Sequence, residues 1–262
     1  MTRILTTLPM VLLLCACAAT TSEPDYPAFV VTDEIEDMFM ATLPGVRAKE
    51  FALDNRSRTT SLRIDLPEGW NGSSAGTPGK ALEVFVIQGE LEVADVSLTR
   101  GGYAFIPPGS LGFNLSTNSG ARILYILSDL SASSTIQTPI ILDSNLVDWQ
   151  ATDEMGVFAK DLRNDPGSGY RVWLMKFETD AAIPWRSNSR LREGYLLSGE
   201  FQISECVDGR PYTDVHQADG YFRRPADAVH GGPESQVLQE SIWFMRETGS
   251  STTNYDVNCG AD

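Results

Sequence analysis

The stretch Glu83-Val84-Phe85-Val86-Ile87-Gln88-Gly89-Glu90 returns 110 residues later as Glu193-Gly194-Tyr195-Leu196-Leu197-Ser198-Gly199-Glu200. In each copy a run of strand-forming residues closes on a Gly-Glu pair. Working outward, Gly45-Val46-Arg47-Ala48-Lys49 returns as Gly156-Val157-Phe158-Ala159-Lys160, offset by 111. Gly102-Tyr103 with Pro107 returns as Gly220-Tyr221 with Pro225, offset by 118. The second copy therefore carries about eight extra residues near Glu205 to Tyr212, among them Cys206. A period this long exceeds any solenoid unit and marks a duplicated domain.

Each copy reads as short strands of β-branched and aromatic residues separated by Gly, Pro, Asn and Asp. In the first these are Ser61 to Leu66, Ala81 to Ile87, Glu90 to Leu98, Tyr103 to Ile106 and Arg122 to Leu127. In the second they are Arg171 to Phe177, Gly194 to Leu197, Phe201 to Cys206, Gly220 to Arg223 and Ser241 to Arg246. The pattern predicts an all-β chain of two small barrels, over 45–130 and 156–248, joined by a connection over 131–155. Thr32 to Met40 reads as a short amphipathic helix capped by Thr32 or Asp33. The tail over 249–262 reads as loose except where Cys259 pins it.

At the N-terminus Arg3 precedes an apolar run from Ile4 to Leu14 and then Cys15-Ala16-Cys17, the layout of a secretory signal. The run is too short to span a bilayer. Leu14-Cys15-Ala16-Cys17 resembles the bacterial lipobox, which implies cleavage after residue 16 and lipid on Cys17; an ordinary cleaved signal is the alternative. By the same resemblance, Ala18 after the cysteine implies the outer membrane, facing the periplasm. Residues 17–44 then hold the lipidated cysteine, a polar tether and the short helix. The net charge of −15 leaves no basic stripe for phosphates, which argues against nucleic acid and leaves membrane attachment to the lipid alone. An exported chain meets an oxidising compartment, so Cys206 and Cys259 read as a disulfide, with two free thiols as the alternative.

The two Gly-Glu strands and the blocks that follow them carry a further resemblance. The blocks are Gly101-Gly102-Tyr103-Ala104-Phe105-Ile106-Pro107-Pro108-Gly109 and Gly220-Tyr221-Phe222-Arg223-Arg224-Pro225-Ala226-Asp227-Ala228-Val229-His230. With the strands before them they resemble the cupin superfamily, in particular the two-domain cupins akin to acetylacetone-cleaving dioxygenases. The resemblance covers Val46 to Leu127 and Val157 to Arg246. It implies a double cupin, two tandem jelly-roll barrels, with a divalent transition metal held by a His-x-His pair, a glutamate and a second-block histidine. The chain departs from that set. The glutamate position falls on Leu82 and Arg192, and the His-x-His stretch holds Ala75 and Thr77 in one copy and Ser187, Asn188 and Ser189 in the other. The second-block histidine is Gly112 in the first copy and His230 in the second. Strand alternation points Glu83 and Glu193 away from the barrel interior.

The first copy thus reads as a structural or dimerising half, compatible with a homodimer. The second keeps a polar pocket where His230, Asn188 and Arg192 converge, with Trp185 and Trp243 as walls. A guanidinium in place of the carboxylate repels a cation and suits a planar anion. The expectation is a lipid-anchored envelope protein binding a small molecule, anionic on this argument, in its second barrel. A rival reading is a metal-dependent enzyme with His230, Glu193 and His216 as ligands, Glu193 being brought inward by a one-residue bulge. A third is a structural or interaction lipoprotein. Plainer readings stand beside these: His230 as a hydrogen-bonded interior residue, His216 as packing aligned with Leu98, and the arginines from Arg186 to Arg192 as a solvated loop or as salt-bridge partners in a chain this acidic. Gly72-Ser73-Ser74-Ala75-Gly76 matches a serine-hydrolase elbow but sits in a Gly/Ser/Pro loop with no helix after it.

Overall fold

The computed structural model describes residues 26, 28–54, 59–72, 79–110 and 113–260. The signal segment, Cys17, most of the tether, Ser73 to Thr77 and Gly112 lie outside the described residues. Alternation along two central strands sets the architecture. On Lys80–Val93, Leu82, Val84 and Val86 point into a first barrel while Glu83 and Phe85 point out of it. On Arg192–Val207, Leu196 points into a second barrel while Glu193 and Tyr195 point out. Gly89 and Gly199, which end the repeated runs, both sit at positive φ, and a Cβ on either would lie 2.2 Å from a carbonyl oxygen of the neighbouring strand. Only glycine fits there, which is the physical content of the Gly-Glu motif.

The two sheets have the same strand order. In the first, Ile140–Asp143, Gly102–Ile106, Lys80–Val93, Ala121–Asp129, Thr59–Leu66, Arg47–Asp54 and Met38–Phe39 lie side by side. In the second the order is Ala28–Val31, Gly220–Arg224, Arg192–Val207, Gln236–Thr248, Tyr170–Phe177, Val157–Asp165 and Gln150–Ala151. The outermost strands are exchanged. Ala28–Val31, at the head of the first repeat, pairs with the second barrel, and Ile140–Asp143, at the head of the second repeat, pairs with the first. Residues 28–39 and 140–151, read from sequence as tether and connection, thus belong to the sheets. Thr32 to Met40 is not a helix: it holds a 3-10 turn, Thr32–Glu34, and the strand Met38–Phe39. The Thr32 amide and hydroxyl both bind the Asp219 carbonyl in the second barrel, and Ile35 packs between the barrels, so tertiary contacts override the helical pattern.

The eight extra residues lengthen one hairpin. The strands Arg192–Val207 and Arg210–Gln217 run on to a turn at Asp208 and Gly209, carrying Glu205 and Cys206 beyond the length of the first-barrel hairpin. Cys206 is bonded to Cys259. The tail is held along its length as well: Thr253–Asn254 pairs with Ser187–Asn188, and the Tyr255 hydroxyl donates to Glu154 at 2.7 Å. Among the described residues no helix is long and apolar enough to cross a membrane.

Three buried clusters make the core: the interior of each barrel and a seam between them. In the seam Phe51 stacks on Tyr221 at 4.6 Å and Phe85 meets Phe244 at 5.2 Å. Set into this apolar seam are the two repeated glutamates. Glu83 accepts from Tyr103 at 2.8 Å and pairs with Arg163 at 2.9 Å; Glu193 accepts from Tyr221 at 2.9 Å and pairs with Arg246. Arg246 also approaches Glu83, at 3.5 Å, so the two half-sites form one chain of charges. Taking one partner out of a buried pair leaves an uncompensated charge and costs about 3–5 kcal/mol, whereas replacing both by apolar groups is often near neutral. Glu83→Leu is therefore expected to lower stability by about that amount, and Glu83→Leu with Arg163→Leu to recover most of it, read from urea unfolding midpoints.

Candidate functional site

The two barrels differ inside at three equivalent positions. In the first, Leu82 lies opposite Ile106 on one neighbouring strand and Leu127 on the other. In the second the same register holds Arg192 opposite Arg224 and Glu247. In the first barrel Leu82 and Ile106 are buried in the interior cluster and Leu127 packs against it, whereas the second holds a cavity lined by Arg186, Arg192, Arg224, His230, Phe222 and Trp243, with Met175, Phe177, Phe201, Ile203 and Met245 completing its wall. About 30 Å³ is open there to the centre of a water molecule. One water needs roughly 10–15 Å³ on that measure, so the space suits a ligand of a few non-hydrogen atoms.

Each guanidinium has a carboxylate. Arg192 donates to Glu247 at 2.9 Å, Arg224 to Glu205 at 3.1 Å, and Arg186 pairs with Glu154. Glu205 is available because the longer hairpin carries it there, and Tyr26 donates to it as well. These bonds occupy Nε and Nη2 of Arg192 and Arg224 and Nη1 of Arg186. A guanidinium has five N–H donors, so donors remain for a ligand. His230 is held by reciprocal backbone bonds with Arg186, both 2.9 Å, and its Nδ1 lies 3.1 Å from the Ala228 carbonyl. A carbonyl only accepts, so Nδ1 carries the proton and Nε2 is left as an acceptor. Burial, then the charges of Arg224 and Arg186, hold His230 well below the usual histidine range, and the ring is neutral at physiological pH. The indole Nε1–H of Trp243 and the Nε–H of Arg186 are buried without a hydrogen-bond partner.

Of the residues singled out from sequence, His230, Arg192 and Trp243 meet at this cavity. Asn188 and Trp185 do not line it. Asn188 donates to Thr253 at 2.9 Å and holds the tail, and Trp185 packs on Gly232. Arg192 is not a free anion-gripping group, since Glu247 already holds it. The metal set of His230, Glu193 and His216 is not assembled. Strand pairing is regular from Arg192 to Leu196, so no bulge turns Glu193 inward; it faces the other barrel, where burial pushes its carboxyl up. His216 is packed at 4.3 Å against Phe29 of the exchanged strand and sits 6.0 Å from Trp243. Among the described residues no three histidine, cysteine or acidic side chains are grouped to hold a metal. With three guanidiniums on the wall, the residues present do not fit one. Arg186 and Arg192 are the salt-bridge partners that a chain this acidic favours, whereas Arg224 and the counter-ions Glu154, Glu205 and Glu247 have no sequence-based assignment to the site. The reversal of sign between Arg192–Glu247 inside and Glu193–Arg246 outside would have signalled them, but needs the register.

Both histidines have depressed values, so the folded state binds fewer protons than the unfolded one below about pH 6.5 and loses stability as pH falls. Burial holds His216 at about 4, so its share of the loss accrues between pH 6.5 and 4 and levels off below. His216→Leu, the residue found at the equivalent Leu98, is expected to remove about 2–3 kcal/mol of that acid destabilisation, measured as unfolding free energy at pH 7.5, 6, 5 and 4.

No family model matches the sequence, and no curated protein matches it. Solved structures do match its fold. A Pseudomonas aeruginosa protein described as glyoxylate-induced superposes with a TM-score of 0.72 at 14% identity, covering 95% of this chain and 96% of that one. The Escherichia coli protein Ylba gives 0.66 at 13%, covering 84% and 89%. A variant of oxalate decarboxylase from Bacillus subtilis gives 0.63 at 13%, covering 87% and 79%. At these identities the likeness is one of fold. Two barrels of identical strand order that exchange their outermost strands, matched over most of their length by these structures, give this chain an all-β double-cupin fold.

Proposed function

We propose that this protein is a lipid-anchored envelope cupin that binds a one- or two-carbon carboxylate inside its second barrel. The observation that carries this is the Trp243 Nε1–H, an unsatisfied donor on a residue lining the second-barrel cavity beside three guanidinium groups, since a buried donor without a partner costs about 1–3 kcal/mol until something accepts from it. A carboxylate oxygen accepts from that indole and from the guanidinium N–H groups the glutamates leave over. Glyoxylate, which hydrates to a gem-diol in water, adds a hydroxyl that donates to Nε2 of His230. The cavity's size limits the ligand to a few atoms, and the names of two fold neighbours refer to glyoxylate and oxalate, acids of that size. Export and lipid on Cys17 follow from the N-terminal motif and locate the binder at the outer membrane, facing the periplasm.

The metal-dependent alternative draws on another fact about a neighbour: the Bacillus subtilis decarboxylase is described with Mn(II) centres. The donor set around His230 argues against carrying that over, so no reaction step is derived through a metal. Two measurements separate the readings. Calorimetric titration of the full-length chain with oxalate, glyoxylate and formate is expected to show saturable one-to-one binding by at least one of them. Trp243→Phe should weaken it about 3–10-fold, the worth of one hydrogen bond, and Arg192→Ala further. Equal binding by both variants would sink the proposal. Mass spectrometry of the untagged chain, purified without chelator, is expected to find no stoichiometric manganese, iron, copper or zinc. A near-equimolar metal lost in His230→Ala would install the enzyme reading instead.

A further inference from the structure

A cavity larger than that of the second barrel lies outside both barrels. Between them runs a cleft with about 400 Å³ open to water centres, against 30 Å³ in the second barrel. Ligand pockets typically measure about 300–1,000 Å³. Its floor is apolar, formed by Phe85, Val86 and Ile87 of the first barrel and Leu174, Leu197 and Ile242 of the second. Trp149, on the segment after the exchanged strand, supplies an aromatic wall, and Arg100, Ser144, Asn145, Lys160 and Ser198 supply polar groups.

Lys160 stands apart from the other buried cations. Arg63, Arg163, Arg186, Arg224 and Arg246 each face a carboxylate. Lys160, only 8% exposed, makes no salt bridge among the described residues. Its Nζ donates to the Ser144 carbonyl at 3.0 Å and lies 4.5 Å from the centre of the Trp149 ring. Those are one bond and a ring face for a group with three donors, and buried charges are ordinarily paired. Asp143 and Asp148 act on it only at longer range, and Asp143 is engaged by Asn145. Arg100, exposed on the same rim, makes no salt bridge among the described residues either. Two cations without a salt-bridge partner thus face a cleft whose floor is aliphatic and aromatic and whose other polar groups are uncharged.

We infer that the inter-barrel cleft is a second binding site, for a carboxylate with an apolar body, whose anionic head pairs with Lys160 and Arg100 and whose body lies on Phe85, Ile87, Leu197 and Trp149. The site is separate from the barrel cavity in residues and in ligand size. Phenylacetate and its neutral counterpart phenylacetamide, titrated calorimetrically into the full-length chain, test it. Phenylacetate is expected to bind one to one and the amide at least tenfold more weakly. Lys160→Met, which keeps the stem over Trp149 and removes the charge, should weaken phenylacetate at least tenfold. Arg100→Gln, at an exposed position that leaves folding undisturbed, should weaken it severalfold, and Trp243→Phe, in the other cavity, should leave it unchanged. The inference is overturned if phenylacetate shows no saturable binding, if the amide binds equally, or if Trp243→Phe abolishes binding while Arg100→Gln does not affect it.

Discussion

The pairing of Glu83 and Glu193 with Arg163 and Arg246 across the seam constrains everything else in this molecule. A carboxylate placed between two packed barrels is tolerable only if its charge and its remaining lone pairs are met. Here Tyr103 and Tyr221 meet each glutamate from the equivalent strand, a repeat of the same solution in both halves. The arginines break that symmetry, because both come from the second repeat, and Arg246 spans the two glutamates. This makes the seam unequal: the first barrel contributes an acid alone, while the second contributes an acid and both bases. Aromatic stacking around the charges excludes water and strengthens them.

Strand exchange gives the seam its permanence. Each barrel is finished by a strand from the head of the other's repeat, so neither sheet is complete without both halves of the chain. The exchanged segments also carry the residues that edge the cleft. Ser144, Asn145 and Trp149 follow Ile140–Asp143, and the cleft exists because this segment crosses from one barrel to the other.

Duplication followed by divergence accounts for the two interiors. Three apolar positions in the first barrel have become a charged trio in the second, and the lengthened hairpin supplies the acid that makes Arg224 bearable inside. The same hairpin carries Cys206, whose bond to Cys259 draws the tail across residues 187–189, next to Arg186. Charged groups thus line the interior of one half, while aliphatic residues stand at the equivalent positions of the other.

From sequence alone the duplication, the all-β class, the Gly-Glu turns and the outward face of Glu83 and Glu193 could be read. Each rests on short-range rules: strand periodicity of two and the left-handed backbone that favours glycine. The contrast between an apolar first interior and a polar second was legible for the same reason, at Leu82 against Arg192. What sequence could not decide was partnership. Ala28–Val31 looks like a tether and Thr32 to Met40 like a helix until the second barrel is present to bind them, because their hydrogen bonds go to residues nearly 190 positions away. Asn188 and Arg192 look like ligand groups until Thr253 and Glu247 are found beside them, and Lys160 looks like an ordinary lysine until it is found buried with no salt bridge among the described residues. Local conformation follows from neighbours in the chain; which charges are satisfied, and which are left for a ligand, follows only from neighbours in space.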